Sequence, residues 1–168
     1  IAYCVAMKQI RQNDELERVR RSRKHAAIRA RLPLVLAQVS DHAQRSVHQL
    51  LSAIAISQNS NMPKNAAASL AIEAPPAEAV RVLADFIEFS DDIDVSLMEA
   101  TVAWMQIHHS RVGEIVRDLI DRQRSTAVLR LSIEESIIDA ASIYAGVAAY
   151  FDYARRRQDK PPTSIDWQ

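Results

Sequence analysis

Only two glycines, Gly113 and Gly146, occur in a chain of 168 residues. A sheet protein of this length needs many tight turns, and glycine serves most of them. Both glycines fall instead inside stretches of helical periodicity. Aromatic residues make up only 5% of the chain, so little of it favours strand, and alanine is abundant. The expectation is an all-α fold: an antiparallel helical bundle of about four to five helices with a long, basic N-terminal helix.

The periodicity supports this reading. From Ile28, apolar residues step by threes and fours through Leu32, Val35, Leu36, Val39, Ala43, Val47, Leu50, Leu51 and Ile54, one face of an amphipathic helix. Pro33 lies within that run and is expected to kink or restart the helix near Leu32. Residues 57–65, "SQNSNMPKN", read as a connection, and 66–74 as Ala-rich chain with room for a short helical turn. Pro75 and Pro76 mark the next helix start, with Val80, Leu83, Phe86 and Ile87 as its buried face. Ser90 or Asp92 is suited to cap a further helix reaching about Gln123. Its expected seam is Val95, Met98, Val102, Met105, His109, Val112, Val116 and Leu119, with a second stripe of Leu97, Ala100, Trp104 and Ile107 beside it. Ser132 with Glu135 resembles a capping box opening a last helix, whose expected seam is Ile133, Ile137, Ala140, Tyr144 and Val147. The small residues around Gly146 permit close backbone approach, and Arg155–Arg157 suit a helix C-terminus.

Charge divides the chain. Residues 8–31 hold nine Lys/Arg against three acids, +6, whereas the rest holds twelve basic and eighteen acidic residues, −6. The formal neutrality of the whole therefore hides a basic arm on an acidic body. The expected organisation is 1–31 as the end of a membrane helix plus a basic polar helix, 32–157 as the bundle, and 158–168 as an extended tail.

The arm raises a question of location. Residues 1–7 are almost wholly apolar and run straight into the basic stretch. A spanning helix needs about 20 apolar residues, so these seven read as the cytosolic end of an upstream membrane segment. The Arg/Lys cluster then marks the cytoplasmic side of a bacterial inner membrane, as the positive-inside tendency expects. Seven residues are candidates for contact with a membrane surface or phosphate: Arg18, Arg20, Arg21, Arg23, Lys24, Arg29 and Arg31. The alternative is an ordinary soluble helix start that packs on the bundle or a partner. Arginine outnumbers lysine 17 to 4, which points to a GC-rich, bacterial gene.

Catalytic signals are weak. His108 and His109 are adjacent and diverge by about 100° on a helix, with His109 assigned to the seam and His108 to the surface. His42 and His48 are six apart, a poor spacing for shared ligation. The acids Asp85, Glu88, Asp91, Asp92 and Asp94 read as a solvated, capping turn. Cys4 has no neighbouring His or Asp, and no Gly-x-Ser-x-Gly elbow or phosphate-binding loop exists. No catalytic residue, metal or cofactor is assigned. The expected function is a non-enzymatic interaction or regulatory domain, membrane-anchored through an upstream segment and facing the cytosol, with a protein partner or self-association through a coiled coil. One alternative is a soluble ligand-binding bundle or enzyme with a cavity near Trp104, Met105, His109 and Tyr144. Another is a nucleic-acid adaptor using the basic helix, disfavoured because no aromatic residue interleaves its arginines.

Overall fold

The computed structural model describes the backbone of residues 2–58, 70, 73–90, 93–121 and 126–165. The connection at 59–69, the candidate cap Asp92, its neighbour Asp91, Gln123 and the side chains of 1–6 lie outside the described residues. All described regular structure is helical: α1 (Ala2–Gln58), α2 (Ala77–Glu88), α3 (Ser96–Asp121), α4 (Thr126–Ala149) and the single turn α5 (Phe151–Ala154).

The chain runs up, down, up and down. Arg31 pairs with Glu78 at the start of α2, and the Lys24 ammonium lies 3.6 Å from the centre of the Phe89 ring just past its end, so α2 is antiparallel to α1. Along α3, Met98 and Met105 share a core with Leu32 and Leu36, whereas Val112 and Ile115 share a second core with Leu50 and Ala53. Thus α3 runs parallel to α1. In α4 the order is reversed, Leu129 and Ile133 in the second core and Ile143 and Val147 in the first. This is the antiparallel bundle that the repeats imply.

α1 does not break at Pro33, which lies inside a continuous 57-residue helix about 85 Å long. The ring removes one amide donor and crowds the carbonyl four residues earlier, at a cost of about 3 kcal/mol. Ile28, Leu32, Val35, Leu36 and Val39 are all buried around it. At about 1.5–3 kcal/mol for each buried large side chain, their packing outweighs the loss.

Two helices are rotated by less than one position from the expected seams. In α3 Met98, Met105, Val112, Val116 and Leu119 are buried as expected, but Thr101 and His108 are buried in place of Val102 and His109, and Leu97 and Ile115 are buried as well. The buried line of α4 runs through Ile133, Ser136, Ala140, Ile143 and Val147. The rotation brings Gly146 against Thr101: a Cβ at Gly146 would lie 3.3 Å from Thr101 Cγ2 and collide with its hydroxyl oxygen. That hydroxyl already donates to the Leu97 carbonyl at 2.7 Å. Gly146→Ala is therefore expected to destabilise the fold by about 1–3 kcal/mol through overpacking. Gly113 has nothing within 4 Å of an added Cβ. Gly113→Ala is expected to stabilise by about 0.5–1 kcal/mol through helix propensity. Urea titration of the two variants checks this opposition; equal effects would place the α3–α4 crossing elsewhere.

Ser132 is not a cap, because α4 begins at Thr126. Leu129 is buried in the second core, which extends the helix past the expected start. The turn before α3 is capped by Asp94, whose Oδ1 accepts from the Ser96 amide at 3.0 Å. Ser90 instead donates back to the Phe86 carbonyl at 2.6 Å.

The chain leaves α5 through Arg156, whose φ of 59° is left-handed. The Arg156 amide donates to the Tyr153 carbonyl and the Arg157 amide to the Asp152 carbonyl, at 3.0 and 2.8 Å, a Schellman closure. This turn sends the tail back over the bundle, where Pro161 is buried and Ile165 packs on the first core.

Candidate functional site: a basic helical arm and the cleft at its root

The described side chains at the start of α1 stand clear of the bundle. Residues 7–24 are exposed without exception, and burial begins at His25 and Ile28. The cause lies in the sequence. Counting back from Ile28 by threes and fours along the core-facing line gives His25, Arg21, Arg18, Asp14, Ile10 and Met7. Charge interrupts the apolar seam, so the bundle stops and the helix continues alone.

Where the arm overhangs the bundle it forms one wall of an open cleft of about 790 Å³. Asp14, Glu17, Arg18, Arg21, Ser22 and His25 line the α1 side, and Phe89, Ser90 and Ile93 the floor. The His25 ring lies 5.5 Å from that of Phe86. Burial, then the nearby Arg29 charge, lowers the His25 pKa below its usual range.

The seven candidate basic residues do not act alike. Arg29 belongs to the bundle: its Nε and Nη2 donate to the Tyr153 carbonyl at 3.0 and 2.8 Å, and Nη2 also donates to the Gln158 carbonyl at 2.6 Å. Its guanidinium lies 3.9 Å from the centre of the Tyr153 ring. Arg31 pairs with Glu78, and Lys24 covers Phe89. Arg18 and Arg21 line the cleft, and Arg21 also interacts within its own chain. Arg20 makes only a loose surface pair with Glu17 at 3.8 Å, and Arg23 is exposed. The face turned away from the bundle carries Leu16, Val19, Arg20 and Arg23 at helical spacing. Leu16 is 67% exposed.

A second polar feature lies between the two cores. His42 and Ser46 of α1, His108 of α3 and Ser136 of α4 are all buried. The Ser46 hydroxyl and His108 Nε2 are 2.6 Å apart. Two ion pairs flank the layer, Arg111 with Asp139 and Arg45 with Glu73, each at 2.6 Å. Burial lowers the His108 pKa to about 4, outweighing the opposing pull of Asp139, and also lowers that of His42. Neutral His108 is best satisfied with Nε2–H donating to Ser46. That tautomer leaves only a lone pair at Nδ1, which has no partner among the described residues.

A hydroxyl on an imidazole is the geometry of an activated nucleophile. Here, however, both groups are buried, and the space beside them, bordered also by His42, Glu73 and His109, is about 10 Å³. That is room for about one water molecule and no substrate. The layer is a structural element between two cores.

The histidine assignment is thus reversed: His108 is buried and His109 half-buried at the cavity rim. Met105 is buried in the first core and Trp104 packs on its edge. Tyr144 is 43% exposed, because Ile143 and Val147 carry the seam of α4. Among the described residues no three His, Cys, Asp or Glu side chains are grouped to hold a metal ion. Nor is any described helix long and apolar enough to cross a membrane.

The Ser46–His108 pair, with His42 buried beside it, escaped sequence reasoning. Its one available signal was the position of His42 and Ser46 beside Ala43 and Leu50 on the apolar line of α1. No family model, curated protein or solved structure matches this chain.

Proposed function

We propose that this chain is a non-enzymatic interaction domain of a membrane-anchored bacterial protein, on the cytosolic side, and that its arm lies against anionic lipid headgroups. The observation that carries the reading is the outward face of the arm. There Leu16 and Val19 share one side with Arg20 and Arg23, on a helix exposed throughout residues 7–24. Apolar residues beside arginines on one face are the chemistry of an interfacial helix: the former enter the headgroup region while the guanidinium groups hold phosphate. Arg29 and Arg31, tied into the bundle, set the arm's direction.

The test is sedimentation with vesicles of phosphatidylglycerol and phosphatidylcholine against phosphatidylcholine alone. Binding to the anionic vesicles is expected at low salt, weakening as salt screens the charges. Each surface arginine contributes about 1 kcal/mol, so Arg20→Gln with Arg23→Gln should weaken binding roughly 30-fold. Equal binding to both vesicles, or none, contradicts the reading. Tighter, salt-sensitive binding to duplex DNA would favour the nucleic-acid alternative.

A further inference from the structure

The helix α4 is apolar on two sides. Between Leu131 and Phe151 its only charges are Glu134, Glu135 and Asp139, and Asp139 is held by Arg111 of α3. The other long helices turn polar residues to solvent, such as Asp41 and His48 on α1 and Glu99 and Gln106 on α3. On α4 the side opposite the buried line begins with Leu131 and Ile138, 61% and 65% exposed. It continues with Ala141 and Ala148, both exposed, while Glu134 and Ala145 between them are half-buried. A helix apolar on two sides is normally covered on both. These six positions step by threes and fours, the spacing of a coiled-coil seam. Their size changes along it, large at Leu131 and Ile138 and small from Ala141 onward. A parallel pair in register would set Leu131 against Leu131 and Glu134 against Glu134, crowded and like-charged at one end and hollow at the other. An antiparallel pair with its two-fold axis between positions 139 and 140 sets Leu131 against Ala148, Glu134 against Ala145 and Ile138 against Ala141, each layer made twice by symmetry. Every layer then joins a long side chain to a small one.

We propose that the outer face of α4 is a self-association surface, on which a second copy of this chain docks its own α4 antiparallel to the first. The flanks of the seam agree with this register. On one flank Tyr144, 43% exposed, comes within two residues of the level of Ile137 in the second copy, about 3 Å along the axis. On the other flank Glu135 faces Ser142 and Ala149, so no acid meets an acid across the seam. Glu134 lies over Ala145 with its carboxylate at the rim, where it already accepts from Arg130 Nε at 2.8 Å. The inference does not depend on lipid, and its test contains none.

Sedimentation equilibrium of the whole chain should show a dimer that persists as salt rises, because the seam is apolar. Ile138→Glu should give monomers, since it sets a carboxylate against Ala141 and close to its own counterpart across the axis. Leu34→Glu, at a leucine 68% exposed on α1, should leave the dimer intact. Orientation is read by disulfide trapping in a Cys4→Ser background. A chain with Leu131→Cys mixed with one carrying Ala148→Cys should cross-link between the two under mild oxidation. Leu131→Cys alone should not, because the two positions 131 lie about 26 Å apart along the axis. A wild-type monomer at every concentration overturns the proposal. A dimer that survives Ile138→Glu, or is lost in Leu34→Glu, does so too, because its interface then lies elsewhere. Self-linking of Leu131→Cys, or failure of the mixed pair to link, overturns the antiparallel register. Far-ultraviolet circular dichroism of each variant separates lost association from lost helix.

Discussion

Acidification from neutrality to about pH 4 is expected to remove about 3 kcal/mol of stability through His108 alone. Its pKa falls from 6.5 in the unfolded chain to about 4 in the fold. One pKa unit corresponds to about 1.4 kcal/mol. Between those two values the unfolded chain binds the proton and the folded chain does not. Stability therefore declines as pH falls through this window, and below it the group adds no further loss. Desolvation between two apolar cores is the largest cause. Asp139 on α4 opposes it, while His42 on α1 and His109 and Arg111 on α3 reinforce it. His42 is shifted in the same direction. Urea unfolding at a series of pH values should show a steep slope across the window in the wild-type chain. In His108→Gln the slope should shrink to what His42 and the carboxylates supply. An identical slope in the two proteins would mean that His108 is solvated in the fold.

The second large effect is expected at Arg29. This one side chain ties α1 to α5 and the tail through three donor contacts and the face of Tyr153. Hydrogen bonds from a charged group contribute about 1.5–3 kcal/mol each when removal leaves the partner buried and unsatisfied. The Arg156 amide still reaches the Tyr153 carbonyl, which moderates the loss. Arg29→Ala should therefore cost about 2–3 kcal/mol. Arg29→Lys should recover little, because an ammonium cannot present the fork that reaches two carbonyls while stacking on a ring. Thermal unfolding of both variants measures this. Full recovery by lysine would reduce the contact to simple charge.

Arg29 also shows where sequence and structure part company. Its position in a basic run suggests an exposed cation, and nothing local announces a carbonyl contact 124 residues away. The four main helices, their antiparallel order and the close approach at Gly146 were legible, because apolar spacing and small residues signal them directly. The rotation of α3 and α4 was not. Each helix offers two adjacent lines at three- and four-residue spacing, and the true line in each contains polar residues: Thr101 and His108 in α3, Ser136 in α4. Choosing by hydrophobicity selects Val102 over Thr101 and Ile137 over Ser136. Polar residues occupy the true line because Thr101 meets Gly146 and bonds to its own helix, and because His108 finds Ser46 across the bundle.

Pro33 misled for a related reason. Local preference argues for a break, but the burial of Leu32 and Leu36 on either side is a tertiary effect that a residue-by-residue reading cannot weigh. The consequence for function is direct. Because α1 is continuous, the arm extends the same helix that packs in the bundle.

The central claim is that this extension is a helix docked on an anionic surface. Hydrogen exchange of the backbone amides of residues 8–24, with and without phosphatidylglycerol vesicles, tests it most directly. Slowed exchange confined to the arm, with the bundle unchanged, is the result this account requires. Exchange in the arm that is indifferent to the vesicles would contradict it.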